Sequence, residues 1–420
     1  MQELGGAKHW FHEKRFGLFV HWGIYAVGGI HEQEQWRLHL PASEYQKYAA
    51  EFNPVKFDPA QWLDLAQETG MEYLVFTAKH HDGFCMWDTR ETGYNIMNTP
   101  YGKDVLRMLA DECAKRNFPL VIYYSCVDWH HPAYPNLGRD HEIKTDPQFH
   151  NLDAYMDFLK RQIREICTDY GPIHGIWWDM NVPKLMDPSV EELIASLQPA
   201  AVLNNRGYGP GDFSTPERDY QAEAAAPYEK PTEACESVGQ QSWGYRRDED
   251  YYSVREIERK IALNTALGGN YLLNVGPDET GCFPEKARSI LRRIGRWYKM
   301  VSSALTAKPC PGLVNVPGIL CTGEGRELNL ILLNPPRGES LRLWGMNKMP
   351  RRAVLLNSGT ELTPTMGPEI QLLPSALTLR HLPVDRMNDE IQVIRLSFDE
   401  NVILPENENG LNNQKNSEPE

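Results

Sequence analysis

No apolar run in the 420 residues is long enough to cross a bilayer as a helix. The opening segment, Met1 to Lys8, has no signal-peptide core. The expected location is therefore the cytoplasm, or secretion with a leader removed. Basic charge is not in surplus either: formal net charge is −14 at pH 7. That argues against a nucleic-acid partner and against an anionic membrane surface. Eight cysteines (Cys85, Cys113, Cys126, Cys167, Cys235, Cys282, Cys310 and Cys321) include no Cys-x-x-Cys pair. Neither a zinc ribbon nor a dithiol redox motif is indicated, and they read as mostly reduced, buried thiols. No Gly-x-Ser-x-Gly elbow is present for acyl transfer. No Gly-x-x-x-x-Gly-Lys-Ser/Thr loop is present for nucleotides, and no Gly-x-Gly-x-x-Gly turn follows the first apolar run. His80-His81 and His130-His131 lack a His-Glu-x-x-His helix or a third and fourth ligand at fixed spacing, so no metal and no other cofactor is expected.

What is present is a near-average globular composition, 41% hydrophobic and 24% charged, in a chain long enough to bury a large core. Aromatics are plentiful: 11 Trp and 19 Tyr. Such rings are the usual platforms for the apolar faces of sugars, although most in any chain are core packing.

Taken in order, short apolar runs alternate with helical segments. Strands are expected at Phe16–Trp22, Glu72–Ala78, Phe118–Ser125, Ile173–Trp178, Ala201–Asn205 and Asn270–Val275. Helices are expected near 58–69, 104–116, 151–170, 190–197, 254–266 and 284–303. The first of these carries Asp58 as cap, Pro59 at its first position and Gly70 as its stop. Polar residues follow the strands at His21, His80, Tyr124, Asp179 and Arg206. This alternation predicts an α/β fold, a (β/α)8-like TIM-type barrel whose site lies at the strands' C-terminal ends. A doubly wound open sheet is the alternative. Residues 207 to 247, rich in Gly, Pro and acids, read as a loop insertion rather than core. After about Leu305 the composition turns β-rich, which predicts a small antiparallel β-sandwich. The expected domains are a barrel over 1–305, a sandwich over 306–402 and a disordered tail over 403–420.

Gly175-Ile-Trp-Trp-Asp179 is the most informative segment: an apolar strand that stops at an acid directly after two indoles. Asp179 reads either as a catalytic carboxylate or as the cap of the turn that follows. Partner acids are available at Glu217, Glu233 and Glu236, each also readable as a solvated surface residue. A carboxylate pair is what glycoside hydrolysis requires: one ionised nucleophile or base, and one acid holding its proton near neutrality. His21, His80 and His81 read equally as donors to substrate hydroxyls or as histidines satisfied by backbone carbonyls.

Six segments together give a more specific signal: Arg15–Gly23 (RFGLFVHWG), Ala78–Phe84 (AKHHDGF), Tyr123-Tyr124-Ser125, Trp177-Trp178-Asp179, Ser242–Tyr245 (SWGY) and Asn270–Pro277 (NYLLNVGP). In order and spacing they resemble the α-L-fucosidases, glycoside hydrolase family 29, over about His9 to Leu305. The resemblance implies a metal-free, retaining exo-enzyme that releases α-linked L-fucose from oligosaccharides or glycoconjugates. It implies Asp179 as nucleophile, and His21, Trp36, His80, His81, Tyr124, Trp177, Arg206 and Trp243 as sugar-binding residues, with Trp243 against the fucose methyl. It implies Glu217, eleven residues after Arg206, as acid/base, with Glu233 the alternative. One departure stands out. Many family members place Glu before the Trp of the first loop, and here Gln35 precedes Trp36, with Glu32 and Glu34 nearby. Gln35 motivates an alternative substrate, an α-L-galactoside or β-D-fucoside. A non-catalytic sugar-binding barrel is the other alternative.

Overall fold

The computed structural model describes residues 4–136, 141–181, 184–217, 226–312, 316–344, 346, 348–367 and 376–402. The tail expected over 403–420 lies outside the described residues.

The chain forms two compact units. The first is built on seven parallel strands: β1 Phe16–Val20, β2 Leu74–Lys79, β3 Leu120–Ser125, β4 Gly175–Asp179, β5 Val202–Leu203, β6 Glu233–Ser237 and β7 Asn270–Val275. Their order is β5-β4-β3-β2-β1-β7-β6. Residues 213–217 form isolated bridges to both edge strands. Asn204 pairs with Phe213, Ser214 with Thr232 and Glu217 with Cys235, all in parallel sense. This segment occupies the eighth position and closes the ring, which is the expected barrel.

The helices begin where their caps predict. Asp58 Oδ1 accepts from Ala60 N at 2.9 Å at the start of Pro59–Thr69, and Gly70, at φ +88°, stops it. Asp104 caps Val105–Arg116, and Asn151 caps Leu152–Asp169. The pleat decides what the barrel encloses. Alternate residues point inward, and Phe19, Tyr73, Val75, Val121, Tyr123, Trp177, Val202, Phe213, Cys235 and Leu272 form one buried cluster. At Gly17 an added Cβ would lie 2.4 Å from the Tyr73 ring, so only glycine lets that ring enter the barrel.

One expectation fails here. The stretch 207–247 is not all loop, because β6 is a fully buried barrel strand. Its sequence, Glu-Ala-Cys-Glu-Ser, reads as polar loop. Burial is tolerated because Glu233 finds donors on distant strands.

The second unit holds seven antiparallel strands in the order β10-β13-β12-β11-β14-β9-β8. They are β8 Ile319–Glu324, β9 Glu327–Leu332, β10 Ser340–Trp344, β11 Arg352–Leu355, β12 Thr360–Met366, β13 Ala376–Arg380 and β14 Gln392–Ser397. They enclose an aliphatic core including Leu328, Leu330, Leu343, Leu377, Leu379 and Ile394, the expected β-sandwich. Helix Val254–Ala266 groups with this unit, where Glu258 Oε2 accepts from Ile391 N at 3.0 Å. Among the described residues no helix is long and apolar enough to cross a membrane.

Candidate active site

A cavity of about 250 Å³ opens at the C-terminal ends of the barrel strands. Phe19, His21, His80, His81, Tyr123, Trp177, Asp179, Arg206, Glu217 and Trp243 line it. Eight of the residues singled out from sequence are thus brought together: His21, His80, His81, Trp177, Asp179, Arg206, Glu217 and Trp243.

Asp179 sits at the end of β4, where register places it beside Ser125. Asn204 holds this strand end by bonding both Trp178 N (2.9 Å) and Trp178 O (2.8 Å). Met180 follows at φ +64°, a conformation costing a non-glycine residue about 1–3 kcal/mol. That twist returns the Met180 N–H to Asp179 Oδ1 at 3.0 Å. Arg206 Nη1 donates to the same oxygen at 3.1 Å, and the Tyr123 hydroxyl donates to Oδ2 at 2.8 Å. Burial pushes the Asp179 carboxyl up. Arg206, His81 and the Tyr123 and Arg206 bonds outweigh burial and hold it below the ordinary aspartate value. The group is an anion at neutral pH.

Arg206 is fixed by a fork: Nε donates to Thr215 Oγ1 at 2.7 Å and Nη2 to Thr215 O at 2.6 Å. Its guanidinium carbon lies 4.9 Å from the centre of the Trp177 ring. Nη1 then reaches both Asp179 Oδ1 and Glu217 Oε1. Glu217 is the more open of the two acids, its side chain 37% exposed against 17% for Asp179.

The imidazoles have assigned tautomers. Asn274 donates from Nδ2 to Trp243 O at 2.6 Å, so its Oδ1 accepts from His21 Nδ1 at 2.7 Å. Ser125 Oγ donates to Val127 O at 2.7 Å and therefore accepts from His81 Nδ1, also at 2.7 Å. In the neutral His81 ring Nε2 is an acceptor, and it lies 3.9 Å from Asp179 Oδ2. Burial pushes His81 down to about 4 and His80 well below the ordinary histidine value, so both are neutral at pH 7. Behind them, Lys79 Nζ donates to Asp128 Oδ2 at 2.8 Å, while Asp128 Oδ1 accepts from His130 N and His131 N. This buried pair ties the loop after β2 to the loop after β3. Among the described residues no group of His, Cys, Asp or Glu is placed to hold a metal ion.

Three sequence expectations fall elsewhere. Tyr124 points out of the barrel, donating to Gln162 Oε1 at 2.6 Å with Lys79 Nζ 4.3 Å from its ring. The reason is parity: Val121, Tyr123 and Ser125 share the inner face of β3, so Tyr123 takes the place expected of Tyr124. Trp36 is half-buried and packs on His141, a rim residue, with ring centres 4.5 Å apart, rather than lining the cavity itself. Glu233 lies buried beside Trp177, its Oε1 accepting from Trp177 Nε1 at 3.0 Å and its Oε2 from the Tyr73 hydroxyl at 2.5 Å. Burial pushes its carboxyl up to about 7 against the effect of those two bonds.

Sequence reading did not assign Glu32 a role. It lines the cavity at 1% exposure, and its Oε2 accepts from Ser242 Oγ (2.8 Å), Trp243 N (2.9 Å) and Gly244 N (3.0 Å). Burial would raise it, but His31, His21 and these donors hold it below the ordinary glutamate value. Glu32 thus clamps the segment that presents the Trp243 ring. Gln35 is buried and is not part of the cavity wall.

A family model described as Alpha-L-fucosidase matches residues 5–302. The chain belongs to the α-L-fucosidase family, glycoside hydrolase family 29. Among curated relatives, the tissue α-L-fucosidase of Rattus norvegicus is 29% identical over 335 residues, covering 71% of this chain and 69% of its own. The solved α-L-fucosidase isoenzyme 1 from Paenibacillus thiaminolyticus superposes with a TM-score of 0.83 at 30% identity, covering 94% of this chain and 99% of that one. An α-L-fucosidase from Bacteroides thetaiotaomicron, trapped as a covalent intermediate with 2-fluoro-fucosyl fluoride, shares the fold. Its TM-score is 0.79 at 24% identity, over 94% of this chain and 97% of that one. The protein is therefore a glycoside hydrolase, and the cavity described above is its candidate active site.

Proposed function

We propose that the enzyme is a retaining exo-α-L-fucosidase in which Asp179 is the nucleophile and Glu217 the general acid/base. The observation that carries this is the shared guanidinium nitrogen. One Arg206 Nη1 within hydrogen-bond reach of both acids keeps their nearest oxygens within about 6 Å of each other. Retaining enzymes hold the two carboxyl groups about 5–5.5 Å apart, whereas inverting ones need about 6.5–9.5 Å to seat a water.

In the first step Asp179 attacks the anomeric carbon while Glu217 gives its proton to the departing glycosidic oxygen. In the second, Glu217 takes a proton from water, which displaces Asp179 and restores the starting configuration. The nucleophile stays anionic through Arg206 and Tyr123. Glu217, more exposed and at the cavity's open side, can exchange protons with solvent. The neutral His81 offers Nε2 as an acceptor for a sugar hydroxyl. The Phe19 and Trp243 rings, 6.2 Å apart, supply an apolar wall for the 6-deoxy methyl group. The substrate is a fucosylated oligosaccharide or glycoconjugate. The same proposal assigns residues 1–305 to catalysis and 306–402 to an accessory sandwich. Proton NMR of an aryl α-L-fucoside digest tests the stereochemistry. The first sugar released should be the α-anomer, mutarotating later to the β, and β-fucose appearing first would overturn the retaining reading.

A further inference from the structure

The nucleophile's two oxygens are held by different groups, yet both groups rest on one ring. Tyr123, which donates to Asp179 Oδ2, stacks on Trp177 with centres 5.6 Å apart and planes at 17°. Arg206, which donates to Oδ1, lies over the same indole at 4.9 Å. The indole is anchored at its only polar atom, Nε1, by Glu233. Glu233 is braced in turn by Tyr73 from across the barrel, in the space Gly17 leaves. Both carboxylate oxygens of Glu233 therefore accept a hydrogen bond inside the barrel, and neither is offered to the cavity.

We infer that Glu233 is a positioning residue: through its bond to the Trp177 indole it sets the platform on which Tyr123 and Arg206 aim at Asp179. This deepens the proposed function, since it rests on Asp179 being the nucleophile. It also gives a buried acid that stands close to the site in sequence a task other than proton transfer. Glu233 reaches the reacting atoms only through other side chains. Its removal should act chiefly on the nucleophile, both of whose side-chain donors rest on the indole, whereas Glu217 shares only Arg206 with it.

The test uses Glu233→Gln and Glu233→Leu in the full chain, with aryl α-L-fucosides of good and poor leaving groups. Gln keeps an acceptor for Trp177 but cannot transfer a proton. It should retain kcat/KM within about threefold on both substrates, because the one bond that matters is kept. Leu leaves the indole N–H unpaired and the ring free to shift. It should lose about 30- to 100-fold, equally for good and poor leaving groups, as a misplacement of order an ångström does. Its acid limb of kcat/KM should move to higher pH, because Asp179 loses aligned donors. A merely structural loss of folded enzyme would lower activity without moving that limb. Should Glu233→Leu fail to fold, the Gln variant still decides. A loss of a hundredfold or more in Glu233→Gln, concentrated on the poor leaving group and rescued by azide, would overturn the inference and make Glu233 the acid/base. A Leu variant within threefold of the parent with an unmoved acid limb would overturn it too. If Asp179→Ala remains active, the nucleophile assignment beneath it has failed instead.

Discussion

Arg206 is the point at which the account is most exposed, because one side chain links both proposed catalytic acids. Its guanidinium makes four hydrogen-bond contacts: two to Thr215, one to Asp179 and one to Glu217, over the Trp177 ring. Arg206→Lys keeps the charge but has a single nitrogen and no fork, so it cannot hold Thr215 and both carboxylates at once. A hydrogen bond to a charged group is worth about 1.5–3 kcal/mol. Losing one or two near the reacting carbon should cost about 2–4 kcal/mol of barrier, or about 30- to 1000-fold in kcat/KM. Arg206→Gln removes the charge as well. Asp179 then keeps the upward push of burial without the attraction that offset it, so its pKa rises. The nucleophile must be ionised, so the acid limb of the kcat/KM profile should shift to higher pH in Gln and less so in Lys. The stability consequence has the same sign. In the parent, the depressed Asp179 pKa contributes stability present above the unfolded aspartate pKa and lost as pH falls through the folded one. Arg206→Gln should unfold more readily than the parent at neutral pH, and the gap should narrow in acid as Asp179 protonates. The assays are pH–rate profiles on an aryl α-L-fucoside and thermal melts across pH. An Arg206→Lys enzyme within threefold of the parent, or an unmoved acid limb in Arg206→Gln, would refute the reasoning.

Two further predictions separate neighbouring residues. Tyr123→Phe, which removes a donor from Asp179, should lower kcat by about tenfold, the worth of one charge-assisted bond in the transition state. Tyr124→Phe should leave kcat within twofold and cost only about 1 kcal/mol of stability, since its hydroxyl serves Gln162. Steady-state kinetics and melting curves on both variants check this, and the opposite ranking would restore Tyr124 to the site. Glu217→Ala should be rescued by azide with formation of β-fucosyl azide, detectable by mass spectrometry and NMR. Rescue of Glu233→Ala instead would exchange the two glutamates' roles.

Much of this was legible in the chain because it is local. Caps at Asp58, Asp104 and Asn151, the strand–helix alternation, and polar residues after apolar strands needed no long-range information. The misplacements have a common physical origin. Tyr124 lies nearer the strand end, and in sequence that position favours it over Tyr123. The inner face is set by pleat and register, and counting in twos from Ser125, the register partner of Asp179, reaches Tyr123. β6 reads as loop because a buried strand with two glutamates departs from the usual pattern. It is stabilised by Tyr73 and Trp177, 160 and 56 residues away. Glu32 carries no local signal for a related reason: its donors lie about 210 residues downstream. In the sandwich, β8, β10 and β12 carry weak sequence signals. Pro364 and Gly323 interrupt two of them, and their pairing comes from neighbours rather than from their own alternation.

In the proposed mechanism Asp179 forms the covalent bond to the sugar. The most direct test is to inactivate the enzyme with 2-fluoro-fucosyl fluoride, digest it, and map the adduct by tandem mass spectrometry. One 2-fluoro-fucosyl group per chain should be esterified to Asp179, with none formed by Asp179→Ala. A stable label on Glu217 or Glu233 with Asp179 unmodified, or full turnover by Asp179→Ala, would contradict it.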